Sequence, residues 1–305
     1  MLRPLADRRS ATARFLILGS ASPALIRGVS ETLAGRALFV QVPGFSLDEV
    51  GPESMSRLWL RGGFPRSYLA ESHASSLRWR DSFIATFLER DIPQLGIRIP
   101  AETLRRFWMM LAHCHAQTWN ASELARALST TEKTARHYLD ILAGAFVARI
   151  LPPWHENIGK RQIKAPKVYV RDSGLLHALF GIETMADLRV HPKYGASWEG
   201  FALEQVLSRL GDSNVFFWRT QRGAELDLFL IRHGRRYGFE FKCSDAPVMS
   251  RSLGIALEDL NLNLAWIVYP GEQRYPVHKR VEALPLSDLE KVCRDIVRRD
   301  PPVFK

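Results

Sequence analysis

The chain has 305 residues, with 42 Lys and Arg against 32 Asp and Glu, and a formal net charge of +10 at pH 7. A composition that is 46% hydrophobic and 24% charged fits a folded chain with one large domain or several smaller ones, and excludes disordered and collagen-like architectures. No apolar run approaches the roughly 18–20 residues of a membrane span, and the basic opening lacks the apolar stretch of a secretion signal. Cys114, Cys243 and Cys293 are too widely spaced for a disulfide framework or a paired-cysteine metal site, so the expectation is a cytoplasmic protein with no membrane partner. The positive charge suits a polyanion without choosing among DNA, RNA and nucleotides.

In chain order, Phe15–Leu18 and Leu38–Val42 read as short apolar strands, with a helix between them over Pro23–Leu33. They make a piece of an α/β layer, too small to bury both faces of a sheet by itself. The chain then turns helical. A turn at Arg61-Gly62-Gly63-Phe64-Pro65 precedes a long amphipathic helix over residues 71–92, with Leu77, Phe83, Ile84, Phe87 and Leu88 as its core contacts. A further helix covers Ala101–His113.

Two capping signatures follow, Asn120 with Glu123 and Ser129 with Glu132, and they open two short helices joined by almost no loop. Followed by a strand over Phe146–Leu151, this layout is that of a winged helix-turn-helix, with a packing-only helix hairpin as the alternative. The exposed start of the second helix carries Lys133. The next stretch, Trp154–Arg171, holds Lys160, Arg161, Lys164, Lys167 and Arg171 against Glu156 alone, which reads as a strip facing phosphates or as a solvated loop.

The last third reads as helix (Trp198–Leu210), strand (Val215–Trp218), a hairpin of Glu225–Ile231 with Tyr237–Lys242 across a four-residue turn, helix (Ser252–Leu260) and strand (Ala265–Tyr269). The hairpin brings Asp227 near Glu240, side-chain alternation puts Glu240 and Lys242 on one side, and Glu199 approaches from the neighbouring helix. Carboxylates that converge in this way repel unless a cation neutralises them, and oxygen donors favour Mg²⁺ or Mn²⁺. Asp227 and Glu240 are therefore the expected metal ligands, and Glu199, Asp227, Glu240 and Lys242 the expected catalytic set for phosphodiester hydrolysis. Glu204 points about 140° away from Glu199 around the helix and stays outside this set. A salt-bridged sheet end is the alternative.

The arrangement resembles the PD-(D/E)xK nuclease fold, although Leu226 stands where that pattern has Pro. More widely, RFLILGSASPALIRGVSETLAGR, LWLRGGFPRSYLA, FLERDIPQLG, SELARAL, KVYVRDSGLLHAL, GASWEGFALEQ, FFWRTQRGAELDLFL and YGFEFKC occur in an order similar to that of AAA-type ATP-binding proteins with a C-terminal DUF4143 domain. The resemblance implies an α/β fold with a helical middle. It places a remnant of the ATPase core in residues 1–66, a helical and winged-helix region in 67–180, and a DUF4143, PD-(D/E)xK-like domain in 181–305. No GxxxxGK[ST] sequence is present, so the resemblance implies a chain that starts after the phosphate-binding half of that core. Ser20 in the sensor-like strand and Arg36 are the positions left to contact nucleotide, and ATP is expected only if an upstream segment supplies the P-loop. The leading expectation is a nucleic-acid-associated protein with a metal-dependent nuclease-like centre and duplex DNA as partner. The alternatives are a non-catalytic regulatory module that binds DNA, protein or its own copies, and an ATP-binding protein completed by the missing segment.

Overall fold

The computed structural model describes residues 40–155 and 165–298, together with Phe15, Leu16, Leu18, Gly19, Ala21 and Leu38. From Phe45 onward the chain is a succession of short helices, each started by a local cap. Ser46 and Glu49 form a capping box that opens α1 (Leu47–Val50). A 3₁₀ turn leads to α2 (Met55–Arg61), which stops at Gly62 with φ +75°. After α3 (Pro65–Tyr68), Ser72 caps α4 (His73–Thr86), which runs through a π-helical turn (Phe87–Asp91) into α5 (Ile92–Gln94). The expected helix over 71–92 is thus continuous but changes its winding near Phe87, with Ile84, Phe87 and Leu88 buried. In α6 (Ala101–His113), Leu104, Phe107, Trp108, Leu111 and Ala112 recur at helical spacing and are all buried.

The Gly62-Gly63 turn is needed for a close backbone approach. Asp172, the N-cap of α9 (Ser173–Leu179), accepts from Leu175 N at 2.8 Å through one oxygen and from Gly63 N at 2.8 Å through the other. A Cβ on Gly62 would lie 2.1 Å from the Asp172 carboxylate, and one on Gly174 2.1 Å from the Arg61 carbonyl. The buried Arg80 guanidinium reaches the same junction, donating to Gly174 O at 2.7 Å.

Between α6 and α9 lie β1 (Gln117–Thr118), α7 (Ala121–Ala127), α8 (Glu132–Gly144), β2 (Ala148–Leu151) and β3 (Lys167–Val170). The strands form an antiparallel sheet in the order β1-β3-β2. Asn120 caps α7, accepting from Glu123 N at 3.2 Å. The cap of α8 is Thr131, which accepts from Thr134 N at 3.1 Å, and the expected Ser129 instead sits in the left-handed region at φ +52° in the link. Phe146 likewise has φ +61°, so the strand begins two residues later than its apolar run.

After α10 (Met185–Val190) and α11 (Tyr194–Leu210) come β4 (Val215–Arg219), β5 (Glu225–Arg232), β6 (Arg235–Phe241), α12 (Arg251–Asp259), β7 (Leu264–Tyr269), β8 (Tyr275–His278), β9 (Val281–Pro285) and α13 (Leu289–Val297). The second sheet runs β4-β5-β6-β7-β9-β8, with β6, β7 and β9 parallel and the outer pairs antiparallel. The β5–β6 hairpin turns on His233 and Gly234 alone, both at positive φ, with Arg232 paired to Arg235. This two-residue turn, whose twist matches its strands, replaces the expected four-residue one. Alternation sends Trp266 and Val268 into a core shared with α11 and α13, and Ala265 and Ile267 into another shared with α12. The sheet is therefore covered by helices on both faces.

Strand β3 joins the two halves. Val168 and Val170 enter the core of α6, α7 and α8, while Tyr169 enters that of α11 and the large sheet. Within the apolar runs near the start, the described residues differ from expectation. Phe15, Leu16, Leu18, Leu38, Val40 and Val42 are exposed and belong to no strand. The helix expected over 23–33, with Ser20 and Arg36, lies outside the described residues.

Candidate functional site

The acidic residues singled out in the last third meet at the end of β5 and β6 against α11. The β5–β6 pairing runs to Leu228 and Phe239, and Asp227 and Glu240 are the next residue on each strand. Asp227 Oδ2 accepts from Phe241 N at 3.0 Å, which fixes the carboxylate against the next strand. Glu199 comes in from α11. The cation among these acids is Lys167, the first residue of β3. Its Nζ lies 2.9 Å from Glu199 Oε1 and 3.1 Å from Asp227 Oδ1, and it also pairs with Glu225 Oε1. Tyr169, two residues along β3 and on the same face, donates to Glu199 Oε1 at 2.8 Å.

The four expected catalytic residues are thus divided between two groups. Glu199 and Asp227 surround Lys167. Glu240 turns to Lys242 Nζ at 2.9 Å and to Ser250 Oγ at 3.0 and 3.2 Å, Ser250 being the N-cap of α12. Lys242 is half exposed, whereas the Glu240 side chain is 5% exposed. Among the described residues, no group of three or more His, Cys, Asp or Glu side chains is placed to hold a metal ion. A divalent ion fits poorly here, since ammonium, phenol, hydroxyl and amide donors already engage Glu199 Oε1 and both oxygens of Asp227 and of Glu240.

The electrostatics follow from this inventory. Burial and the negative charge of Asp227 push the Glu199 carboxyl up to about 7, against the opposing pull of Lys167. Burial and Asp227 also raise Glu240. Desolvation pulls the Lys167 ammonium down, but Glu199, Tyr169, Asp227 and Glu225 together more than offset it and hold the group well above its ordinary range. Glu204, expected to point away, lies in a separate cluster. It pairs with Arg149 and, at 3.2 Å, with Arg171, and Arg149 reaches Asp212 at 2.9 Å.

The residues expected to meet nucleic acid divide too. Lys167 is 1% exposed and faces the acid centre, so it is no part of a solvent-facing strip. Lys160, Arg161 and Lys164 lie outside the described residues. Lys133 is exposed on α8 together with Arg136, His137 and Asp140, which follow at helical spacing, while Ala135, Leu139 and Leu142 face the core. The roles of Lys167, Tyr169 and Glu225 escape a reading by composition, though period two in Lys167-Val168-Tyr169-Val170 and Glu225-Leu226-Asp227 already aligns each pair on one face.

His115 and His177 are buried and neutral, both pushed down to about 3 by desolvation. Trp59 Nε1 donates to Ser197 Oγ at 2.9 Å. The Ser197 hydroxyl is 2.7 Å from His177 Nε2, whose other ring nitrogen meets the Leu60 carbonyl at 2.9 Å. With His177 and Ser197 at 0% and 2% exposure, this serine–histidine pair is packing and not a hydrolase centre. No helix among the described residues is long and apolar enough to cross a membrane.

Comparison with known proteins agrees with this two-part layout. Residues 52–186 match the family described as Domain of unknown function (DUF8612), and residues 194–289 match Domain of unknown function (DUF4143). The chain is similar to the uncharacterized proteins Rv2008c of Mycobacterium tuberculosis and Mb2031c of Mycobacterium bovis, at 53% identity over 289 residues. The match covers 95% of this chain and 66% of each relative's length. Among solved structures, protein VC1899 from Vibrio cholerae aligns at 12% identity and a TM-score of 0.24, covering 75% of this chain and 57% of that one, a likeness too slight to carry an argument. Lys167 lies within the stretch that matches DUF8612, and Glu199, Glu225 and Asp227 within the stretch that matches DUF4143.

Proposed function

We propose that this chain is a nucleic-acid-associated binding module that engages duplex DNA through its α6-β1-α7-α8-β2-β3 unit, read as a winged helix-turn-helix with α8 as the groove-facing helix. The observation that carries this reading is the division of α8, apolar inward and bearing Lys133, Arg136 and His137 outward at its N-terminal half. In helix-turn-helix proteins the start of the second helix meets the DNA, where basic side chains and free backbone N–H groups favour phosphate. Asp140 on the same face limits the basic stretch to the first turns of the helix.

Such contacts supply mostly sequence-independent affinity that weakens as salt rises. The test is fluorescence anisotropy with a labelled duplex across a salt series, for the parent chain and for Lys133→Ala/Arg136→Ala. Loss of two phosphate contacts lowers the slope of log affinity against log salt by up to about two units. An unchanged slope and affinity in the folded double variant would assign this face to protein packing instead. The PD-(D/E)xK resemblance of the second half supports a shared architecture with nucleases, whereas the pairing of Glu199 and Asp227 with Lys167 argues for a binding role without cleavage.

A further inference from the structure

We infer that Lys167 is the resident cation of the acid centre: an internal ammonium takes the place of a divalent ion, pins β3 to the DUF4143 sheet and leaves the chain without metal-dependent cleavage. The inference rests on residues other than those of the α8 face. It stands or falls separately from duplex binding.

An ammonium has three donors and no acceptor. Here the donors meet three different carboxylates, Glu199, Asp227 and Glu225, so none remains to be satisfied by water. The carboxylates are committed in turn. Glu199 Oε1 also receives the Tyr169 hydroxyl, Asp227 Oδ2 the Phe241 amide, and Glu225 Oε2 lies 3.3 Å from Arg219 Nε. The Phe217 ring, 5.9 Å from Nζ, walls one side.

The backbone of Lys167 is fixed as well, because β3 is the central strand of its sheet and Lys167 pairs with both Thr118 and Leu151. Its side chain is 2% exposed, so it cannot swing into solvent when another cation arrives. A divalent ion among the same oxygens would sit at hydrogen-bond range from a trapped ammonium, and like charges at that distance in a poorly solvated place exclude one another. Lys242 and Ser250 already hold Glu240, which removes the remaining acid from a shared site.

The carboxylates belong to one domain and the ammonium to the other, so the contact that closes the centre also joins them. Removing the ammonium alone leaves oxygen donors of the type that hard divalent cations prefer. Lys167→Ala should therefore create a metal site.

The test uses the full chain and Mn²⁺, following the free aqua ion by electron paramagnetic resonance. The parent chain should leave Mn²⁺ free up to about 1 mM, while K167A takes up one ion at least roughly tenfold more tightly and K167A with Asp227→Asn loses it again. Reductive methylation of the parent chain, mapped by mass spectrometry, should leave Lys167 unmodified with or without Mn²⁺ while Lys133 reacts. These two measurements on the parent chain decide the matter even if K167A does not fold. One Mn²⁺ bound by the parent chain below about 100 μM, Lys167 labelled when Mn²⁺ is added, or a folded K167A that takes up no Mn²⁺ would each overturn the inference.

Discussion

Two glutamates on the same helix, Glu199 and Glu204 of α11, have opposite electrostatic fates. Both are removed from bulk water, with side chains 15% and 16% exposed. Glu204 meets two guanidinium groups, Arg149 and Arg171, whose attraction overcomes desolvation and depresses its carboxyl. Glu199 shares the single ammonium of Lys167 with Asp227 and Glu225, and its carboxyl is pushed up to about 7. Burial alone would raise both. The difference is the number of cations per carboxylate, and it separates a balanced ion cluster from one that holds an excess of negative charge.

The largest expected effect comes from breaking the balanced cluster. Glu204→Gln leaves Arg171 without its ion pair and Arg149 with the half-exposed Asp212 alone, and should cost about 3 kcal/mol at pH 7, by urea unfolding. Since a depressed carboxyl contributes stability that is full above its unfolded value and is lost as pH falls through the folded one, that deficit should shrink only below about pH 4.5.

A second effect of similar size sharpens the comparison by defining its acid limit. His115 and His177 are lowered to about 3, so their contribution is complete above the unfolded value near 6.5 and is lost as pH falls below it. Stability should drop by roughly 1 kcal/mol per histidine for each pH unit below 6.5. In Glu199→Gln, where the opposing titration of that carboxyl is gone, a thermal midpoint flat between pH 6.5 and 4.5 would contradict their burial as neutral rings.

A smaller effect of opposite sign is expected at the unbalanced cluster. A carboxyl raised above its unfolded value opposes folding once ionised, so its cost appears as pH climbs from about 4.5 through 7. Glu199→Gln removes that cost and should stabilise the chain by about 1–3 kcal/mol at pH 8 relative to its effect at pH 5. The smallest effect on stability is that of Lys133→Ala/Arg136→Ala, which changes only exposed side chains and should stay within about 0.5 kcal/mol while altering duplex binding.

Much of the helical half is legible from local patterns. Leu104, Phe107, Trp108 and Leu111 mark α6 to its ends, and Asn120 announces α7. Ser129 and Thr131 both offer a hydroxyl ahead of α8, and only the closure of α7, where Thr130 N reaches Ala125 O at 2.9 Å, decides for Thr131. The hairpin that carries Asp227 and Glu240 was legible as well, since alternation and turn residues are local. Lys167 was not. Its partners lie 32 and 60 residues away, and local composition places it in a basic run. The reasoning that converging acids need a cation holds at this centre, but the cation comes from a distant strand.

The charge balance is unequal on the two faces of α11 that carry Glu199 and Glu204. A ¹³C titration of glutamate side-chain carboxyls, with Glu199 and Glu204 assigned by their Gln variants, measures it without relying on unfolding. Glu199 should titrate near 7, above the ordinary glutamate range, and Glu204 below that range. Two ordinary titrations between about 4 and 5 would contradict the account, because they would mean that neither carboxylate is held in the ionic surroundings described.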